Sequence, residues 1–286
     1  MNFETVKLSL IKNLKVEIYS QGETVFNSGE ASNGKLYFLL EGQISIRVDG
    51  FSEAHTTMIE KGMFFGEISV INKLPRNETA TILSGFARII ALQGADFTQA
   101  IVLNQSILKK LLDSSNNRLN AALNYYIFRR TSIEDSEINE DVIQYNRRNF
   151  KDMLNHIHNP NSFFYRKDSI IYKDFDICKG NFYIVESGQV ATFRKYNEKS
   201  EYLLVVIHEE GDIFGEQAFF NSDFRKEKAV VTSQNVRVRE INKDSFDKLL
   251  HYKSEYLLHF IQMILWKVYK IEDKINRLQD SNSLEL

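Results

Sequence analysis

One segment of the chain combines a glycine, a carboxylate and an arginine at a spacing that suits anion binding. In FFGEISVINKLPRNETAT (residues 64–81), Gly66 and Glu67 are followed by Arg76, nine residues after the glutamate. A short helix that begins at a glycine offers backbone N–H groups to an anion, and the missing Cβ leaves room for close approach. Arginine binds phosphate through two parallel charge-assisted hydrogen bonds. These residue types suit a turn that holds a phosphate, and the alternative is a tight barrel turn that binds nothing.

The same arrangement recurs later in the chain. GMFFGE from Gly62 is echoed 149 residues later by GDIFGE from Gly211, again with an arginine nine residues after the glutamate. Upstream, GKLYFLLEGQISI from Gly34 is echoed 146 residues later by GNFYIVESGQVAT from Gly180. The two separations differ by three residues, which fits a hairpin loop of different length. Two copies of one domain explain these repeats best.

Short strands must position these turns. KVEIYSQGETVFNSGE, LYFLLEGQISIRVDG and ARIIALQGADF alternate apolar and polar residues between glycines. A period of two, interrupted by glycines at short intervals, predicts a small antiparallel β-barrel or jelly roll. The expected fold class is therefore mainly β with α.

A helical period follows each set of strands, over about 104–128 and about 244–278. The polar, acidic segment TSIEDSEINEDVIQYNRR between the copies predicts a linker that leads into a short helix before Pro160. We thus expect two tandem β-barrel or jelly-roll domains, each closed by a C-terminal helix. The predicted boundaries are domain 1 at 1–130, the linker at 131–148 and domain 2 at 149–286.

Composition narrows the function classes. The 286 residues include 36 Lys+Arg and 38 Asp+Glu, so the formal charge of −2 gives no basic surplus for binding nucleic acid. No apolar run is long enough to span a bilayer, no signal peptide is visible, and Cys178 is the only cysteine. These features predict a cytoplasmic protein with no nucleic-acid or membrane partner.

The G-x-x-F-G-E turns, the arginine nine residues on, the glycine-bounded strands and the closing helix together resemble the cyclic-nucleotide-binding domain family. The resemblance covers nearly the whole chain, twice. It implies cyclic AMP or cyclic GMP as the ligand and no required cofactor. Transcription factors of this family continue into a helix-turn-helix domain, whereas this chain stops at QDSNSLEL, and we expect no such domain here.

The resemblance also assigns roles. It implies that Glu67 and Glu216 accept a hydrogen bond from the ribose 2′-hydroxyl and that Arg76 and Arg225 bind the cyclic phosphate. The candidate ligand-binding residues of the first copy are Phe65, Gly66, Glu67, Ile68, Ser69, Arg76, Thr79, Ala80 and Thr81. Those of the second copy are Phe214, Gly215, Glu216, Gln217, Ala218, Arg225, Lys226 and Lys228.

Both copies depart from the family pattern after the arginine. Where the family has Ser or Thr, then Ala and Thr, Arg76 is followed by Asn77 and Glu78 before Thr79-Ala80-Thr81. Counted from the motif glutamate, the arginine is in place; counted back from the alanine, Glu78 takes its place. An inward arginine favours a phosphate, and an inward carboxylate repels it and suits an uncharged nucleoside or no ligand.

The second copy has Glu227 at the position of Glu78, and either Arg225 or Glu227 could face the pocket. Lys228 and Val230 stand where the first copy has threonines. The first copy is therefore the better candidate for a nucleotide, and the second is expected to have an empty or altered pocket.

The last helix carries an apolar heptad stripe that predicts a parallel two-stranded coiled coil and a homodimer. The alternative is packing of this stripe onto the chain's own barrel. The residues of the predicted dimer seam are Leu257, Ile261, Ile264, Val268, Ile271, Ile275 and Leu278.

No catalytic motif emerges from the sequence, and the histidines of HNP and HEEGD lack ligands at metal-binding spacing, so neither an enzyme nor a metal site is expected. We expect a non-enzymatic intracellular sensor that binds a cyclic nucleotide or a related ligand and signals by conformational change to an unidentified protein partner. The alternative is a degenerate scaffold without a nucleotide ligand, used for dimerisation and partner docking.

Overall fold

A computed structural model of the chain describes residues 15–48, 56–95, 97, 105–130, 161–195, 202–221, 224–252 and 255–283. The strands of the first repeat are β1 Lys15–Ser20, β2 Thr24–Phe26, β3 Lys35–Glu41, β4 Gln43–Val48, β5 Thr57–Glu60, β6 Phe64–Phe65, β7 Glu78–Ile82 and β8 Phe86–Gln93. Those of the second are β9 Ser162–Arg166, β10 Ile170–Tyr172, β11 Asn181–Ser187, β12 Val190–Lys195, β13 Tyr202–His208, β14 Ile213–Phe214, β15 Lys228–Val231 and β16 Asn235–Asn242. The helices are α1 Glu67–Asn72, α2 Gln105–Arg130, α3 Glu216–Asn221, α4 Lys243–Tyr252 and α5 Glu255–Ser283.

Each repeat forms two four-stranded antiparallel sheets. The first repeat has the strand orders β1-β8-β3-β6 and β2-β7-β4-β5, and the second has the equivalent orders β9-β16-β11-β14 and β10-β15-β12-β13. The register repeats as well, since Tyr37 pairs with Phe65 and Tyr183 pairs with Phe214. The expected tandem, mainly β fold is confirmed. The barrel alternative is corrected, because the sheets face each other as an open jelly roll and do not close into barrels.

Aromatic residues fill the space between the two sheets of each repeat. In the first repeat, Phe26, Tyr37 and Phe65 stack with ring centroids 5.2 to 6.1 Å apart. In the second, the equivalent rings of Tyr172, Tyr183 and Phe214 stack at 5.2 to 6.1 Å. Such offset stacks add to the free energy gained by burying the rings. They form the floor beneath each glycine-glutamate turn.

The chain divides into two compact units. Unit 1 consists of Met1–Ser115 and Phe260–Leu286, and unit 2 consists of Asn116–His259. Each unit therefore combines one jelly roll with a helical segment that follows the other jelly roll in the sequence. The boundaries at 130 and 149 follow the two repeats along the chain and stay a prediction, and the linker 131–148 and the helix before Pro160 lie outside the described residues.

The helix predicted over 104–128 is α2. The run predicted over 244–278 forms two helices, α4 and α5, and not one. Within unit 2, α4 follows β16 directly and packs Phe246 against Phe182 and Phe219, with ring centroids 5.8 and 5.3 Å apart. This short helix closes the second jelly roll.

The predicted dimer seam lies on α5, and the chain itself buries it. The exposed fraction of its described side chains is between 0 and 4% for Leu257, Ile261, Ile264, Val268, Ile271 and Ile275. The side chain of Leu278 lies outside the described residues. An apolar stripe requires that something cover it, and here the chain's own residues do so. The stripe is thus not an open seam for a coiled coil, and homodimerisation stays a prediction without this seam as its surface.

Candidate ligand-binding site

The glycine-glutamate turn and the following arginine converge in each unit. We call residues 65–76 cassette 1 and residues 214–225 cassette 2. In cassette 1, Phe65 belongs to the aromatic stack, Gly66 adopts a left-handed conformation with φ of 71°, and α1 begins at Glu67. Glu67 and Ile68 are buried, with 2 and 1% of their surface exposed. The predicted short helix after the glycine is present.

Arg76 returns to this turn from the loop before β7. Its Nη1 donates hydrogen bonds to the backbone oxygen of Gly66 at 2.6 Å and to Ser69 Oγ at 2.7 Å. Its Nη2 donates to the backbone oxygen of Ser32 at 3.1 Å and to that of Lys35. The guanidinium lies over the Phe26 ring, 4.3 Å from the centroid, and Arg76 is only 3% exposed. Backbone oxygens, one hydroxyl and an aromatic face hold the arginine at the position expected for a phosphate-binding group.

Gly66 is required by the arginine that packs against it. An ideal Cβ on Gly66 would lie 2.8 Å from Arg76 Nη1 and 3.1 Å from the Phe26 ring. Gly215 repeats this geometry, with a Cβ position 2.7 Å from Arg225 Nη1. The left-handed φ adds a second reason for glycine. Close approach of the arginine therefore accounts for the glycine, in addition to the approach of an anion that the sequence suggested.

Cassette 2 holds Arg225 in an equivalent way. Its Nη1 donates to the backbone oxygen of Gly215 at 2.6 Å, and its Nη2 donates to Asn181 O at 2.8 Å and Asn181 Oδ1 at 2.6 Å. The guanidinium lies 4.5 Å from the centroid of the Tyr172 ring. Glu216 at the start of α3 is 1% exposed. The repeats thus share a site geometry as well as a fold.

The structure resolves the choice between arginine and glutamate by burying both. Arg76 and Glu78 are 3 and 2% exposed, and Arg225 and Glu227 are 4 and 5% exposed. β7 begins at Glu78 and its alternate residues 78, 80 and 82 are buried, so the glutamate shares the inner face with Ala80. Arg76 reaches the same region from the preceding loop. The sequence analysis treated these two placements as exclusive, and that premise is corrected.

Buried charges shape the electrostatics of both sites. Burial lowers the pKa of Arg76, and the nearby Tyr37, Glu78 and Glu67 oppose that shift. In unit 2, burial raises the pKa of Tyr172 well above its ordinary value, and the Glu227 carboxylate adds to the shift. Tyr172 donates a hydrogen bond to Glu227 Oε1 at 3.0 Å. The position of Tyr172 is taken by Phe26 in the first repeat, so this hydrogen bond belongs to unit 2.

The threonines and lysines of the predicted sites make contacts of their own. Thr79 and Thr81 occupy the outer face of β7, where Thr79 Oγ1 accepts a hydrogen bond from the backbone N–H of Ser28 at 3.1 Å. Lys226 is exposed, and Lys228 Nζ lies 4.0 Å from the centroid of the Tyr202 ring. Ala80 and Ala218 are buried, Ala80 in the core of the jelly roll.

Sequence reasoning missed a second arginine in unit 2. Arg194, on β12, is 3% exposed and donates hydrogen bonds to Asn124 Oδ1 at 2.7 Å, Asn120 Oδ1 at 3.2 Å and Gln217 Oε1. Asn120 and Asn124 belong to α2, and Gln217 belongs to α3 beside Glu216. A comparison of the two copies could have found Arg194, because the first copy has the apolar residue Val48 at the equivalent position.

A long helix also contacts the end of cassette 1. Asn77, which follows Arg76, donates a hydrogen bond from Nδ2 to Glu272 Oε2 of α5, and both residues belong to unit 1. Glu272 is 4% exposed. Each cassette is therefore linked by polar side chains to a long helix within its own compact unit.

The described residues provide neither a metal-binding cluster nor a membrane-spanning helix. They contain no group of three or more His, Cys, Asp or Glu side chains placed to hold a metal ion. Among their helices, none combines the length and the apolar character needed to cross a membrane.

Comparison with known proteins assigns the repeats to a family. The family model described as the cyclic nucleotide-binding domain matches twice, at residues 16–104 and 162–253. The type II regulatory subunit of cAMP-dependent protein kinase from Drosophila melanogaster is 27% identical over 119 residues, which cover 41% of this chain and 31% of that protein. The corresponding regulatory subunit from Blumeria graminis is 24% identical over 242 residues, covering 84% of this chain and 54% of its own length.

The chain thus spans between a third and about half of the length of these curated relatives. Among solved structures, the chain is similar to the regulatory domain of Toxoplasma gondii PKA with cAMP. The two are 16% identical, the match covers 90% of this chain and 88% of the Toxoplasma chain, and the TM-score is 0.32. The family match covers more than half of the sequence and coincides with both jelly rolls. The chain therefore belongs to the cyclic nucleotide-binding domain family and contains that domain twice.

Proposed function

We propose that the chain is a non-enzymatic regulatory sensor that binds a cyclic nucleotide, cyclic AMP or cyclic GMP, or a related ligand in its cassettes. One observation carries this proposal: in both units a buried arginine lies directly against the glycine that precedes a buried glutamate. The arginine supplies the charge for a cyclic phosphate, and the glutamate supplies the acceptor for a ribose hydroxyl. The relatives named above are regulatory subunits, which agrees with a role in signalling.

Binding would rearrange the hydrogen bonds of the arginine. In unit 1, Arg76 donates to Ser32 O in the loop between β2 and β3, to Lys35 O at the start of β3, and to Gly66 O at the start of α1. A phosphate that takes over these donors releases both the loop and the turn. A ligand that binds the released arrangement more tightly shifts the population toward it. This exchange of partners is how we propose that occupancy is converted into a conformational signal.

A specific observation favours a second candidate. Glu78 and Glu227 lie on the inner face of their units, close enough to Arg76 and to Tyr172, respectively, to perturb the pKa of each. A carboxylate at this position opposes an incoming phosphate. The alternative function is therefore a degenerate scaffold with no nucleotide ligand, used for self-association and partner docking.

The proposal also covers the location, the oligomeric state and the partners of the protein. We propose a cytoplasmic protein that forms a homodimer and signals to a protein partner, with no nucleic-acid or membrane partner. The nearly balanced charge of −2 supports the proposal that nucleic acid is not a partner. The homodimer would use a surface other than the buried stripe of α5.

A thermal-shift panel tests the proposal. The full chain is melted with cyclic AMP, cyclic GMP, adenosine and guanosine, because a ligand that binds the folded state raises the melting temperature. A rise with one cyclic nucleotide supports the sensor. No shift with any ligand in the wild type, together with a shift by cyclic AMP in Glu78→Ala or Glu227→Ala, supports a pocket blocked by its own carboxylate. No shift in any of the three proteins supports the scaffold.

A further inference from the structure

Unit 2 contains a buried cation that unit 1 lacks. Arg194 lies next to Lys195 at the end of β12, and the ladder between β12 and β15 ends with Phe193 opposite Lys228. The residues beyond this pair are Arg194 on β12 and Glu227 just before β15. Burial lowers the pKa of Arg194, and the nearby Glu227 and Glu216 carboxylates oppose that shift. In unit 1 the corresponding pair is Val48 and Glu78. Unit 2 therefore has two buried arginines near Glu216 and Glu227, whereas unit 1 has one buried arginine near Glu67 and Glu78.

The hydrogen bonds of Arg194 do not neutralise its charge. Its three acceptors are the amide oxygens of Asn120, Asn124 and Gln217. Its Nε is buried without a hydrogen-bond partner among the described residues. A guanidinium binds a phosphate more strongly than it binds a neutral amide, since both groups are charged and two parallel hydrogen bonds form. An anion that enters cassette 2 can thus compete with the amide oxygens for Arg194.

The competing amides lie on one face of a long helix. Asn116, Asn120 and Asn124 are spaced four residues apart on α2, so their side chains lie above one another. Asn116 Nδ2 also donates to the backbone oxygen of Gln217 at 3.4 Å, and its buried Oδ1 has no hydrogen-bond partner among the described residues. We call these three residues the asparagine ladder. The ladder ties α2 to Arg194 and to α3 within unit 2.

We propose that Arg194 is a second phosphate-binding arginine, specific to unit 2, and that an anionic nucleotide releases the asparagine ladder by taking Arg194 from it. This inference rests on the proposed function and refines it, because it makes unit 2 the site for a phosphate. Unit 1, with Val48 at this position, lacks the second cation, and its helix contact is made by Asn77 and Glu272 and not by an arginine. The preference is the reverse of the one that the sequence suggested, where the threonines favoured the first copy.

The test uses the full chain and cyclic AMP as the probe. Calorimetry, fitted with two sites, is carried out on the wild type, Arg194→Gln, the double variant Asn120→Ala/Asn124→Ala, and Arg166→Gln. Arg166 is an exposed arginine of unit 2 at the end of β9, so it is the matched control. Hydrogen exchange of peptides from 116–126 is followed with and without cyclic AMP, since exchange reports local opening of the helix.

We expect Arg194→Gln to weaken one site by about tenfold or more. The double asparagine variant should tighten that site, and Arg166→Gln should leave it unchanged. Cyclic AMP should speed exchange over 116–126 in the wild type and not in Arg194→Gln, a local effect that a general loss of stability would not reproduce.

Wild-type affinity in Arg194→Gln refutes the role of Arg194 while leaving the sensor proposal intact. If Arg194→Gln does not fold, unchanged affinity and unchanged exchange in the double asparagine variant refute the inference in its place. If neither the wild type nor the double variant binds cyclic AMP or cyclic GMP, the proposed function fails and this inference fails with it. Binding by the double variant alone supports the inference, because the ladder then blocks the site.

Discussion

Replacing Gly66 by alanine tests how closely Arg76 approaches the turn of cassette 1. The new Cβ would lie 2.8 Å from Arg76 Nη1, so the guanidinium must move away from Gly66 O and Ser69 Oγ. Gly22 provides a matched control, because its φ of 81° is also left-handed and nothing lies within 4 Å of its Cβ position. Both substitutions incur the left-handed penalty of about 1–2 kcal/mol.

Only Gly66→Ala also costs a hydrogen bond from a charged donor, worth about 1.5–3 kcal/mol. We therefore expect Gly66→Ala to lower the free energy of unfolding of unit 1 by that much more than Gly22→Ala does. The single tryptophan, Trp266, lies in unit 1, so its fluorescence during urea unfolding reports this unit.

A double-mutant cycle isolates the contact between the two residues. In an Arg76→Ala background the extra cost of Gly66→Ala over Gly22→Ala should fall by about 1.5–3 kcal/mol, because the nearest atom that the new Cβ would meet is gone and only the Phe26 ring at 3.1 Å remains. Equal costs of Gly66→Ala and Gly22→Ala in the wild-type background would refute the close approach and the account of the turn based on it.

Three further outcomes are expected. Tyr172→Phe removes the donor to buried Glu227 and should destabilise unit 2 by about 1.5–3 kcal/mol in urea unfolding, and an unchanged midpoint would contradict that hydrogen bond. Ile264→Asp with Ile271→Asp places charges in a buried stripe and should lower the thermal midpoint by circular dichroism, whereas a stable folded monomer would restore the stripe as a dimer seam. Burial raises the pKa of Tyr183 to about 12, above its unfolded value near 10. The neutral phenol therefore contributes stability that is fully present below pH 10 and is lost as the pH rises through 12. Tyr183→Phe should flatten the fall of the melting temperature over that window, and a fall as steep as in the wild type would contradict the shift.

The sequence predicted the tandem fold well because glycine spacing and a period of two report directly on short antiparallel strands. The strand LYFLLE departs from alternation, and the structure explains why. Phe38, on the face of β3 away from the stack, packs against Phe64, which packs against Phe97, so both faces of the strand are covered. The sequence did not distinguish a closed barrel from open sheets, since both have the same strands and turns.

The stripe on α5 illustrates a limit of periodicity. Heptad spacing from Leu257 to Ile275 predicts one covered face, and that face is buried. Spacing does not identify what covers it, because an intramolecular contact and a second copy require the same apolar residues. The sequence analysis chose the second copy, and the chain buries the stripe by itself.

The residues of the cassettes could be predicted from the sequence, but the residues that surround them in the fold could not. Gly66, Glu67 and Arg76 were found because they are close in sequence and repeat in the second copy. Counting along the chain could not tell that Glu78 begins a strand while Arg76 precedes it, which places both side chains inside. Arg194 was missed because its partners Asn124 and Asn120 stand 70 and 74 residues before it in the sequence, and only the fold brings them together.

The central claim is that the buried arginines receive the phosphate of a nucleotide. Calorimetry of the wild type, Arg76→Ala and Arg225→Ala with cyclic AMP and with adenosine tests it most directly. The account predicts heat with cyclic AMP and weaker binding of adenosine to the wild type. Each arginine variant should lose about 1.5–3 kcal/mol of binding free energy at its own site for cyclic AMP and little for adenosine. Cyclic AMP binding that is unchanged in both variants, or adenosine binding more tightly than cyclic AMP, would contradict it.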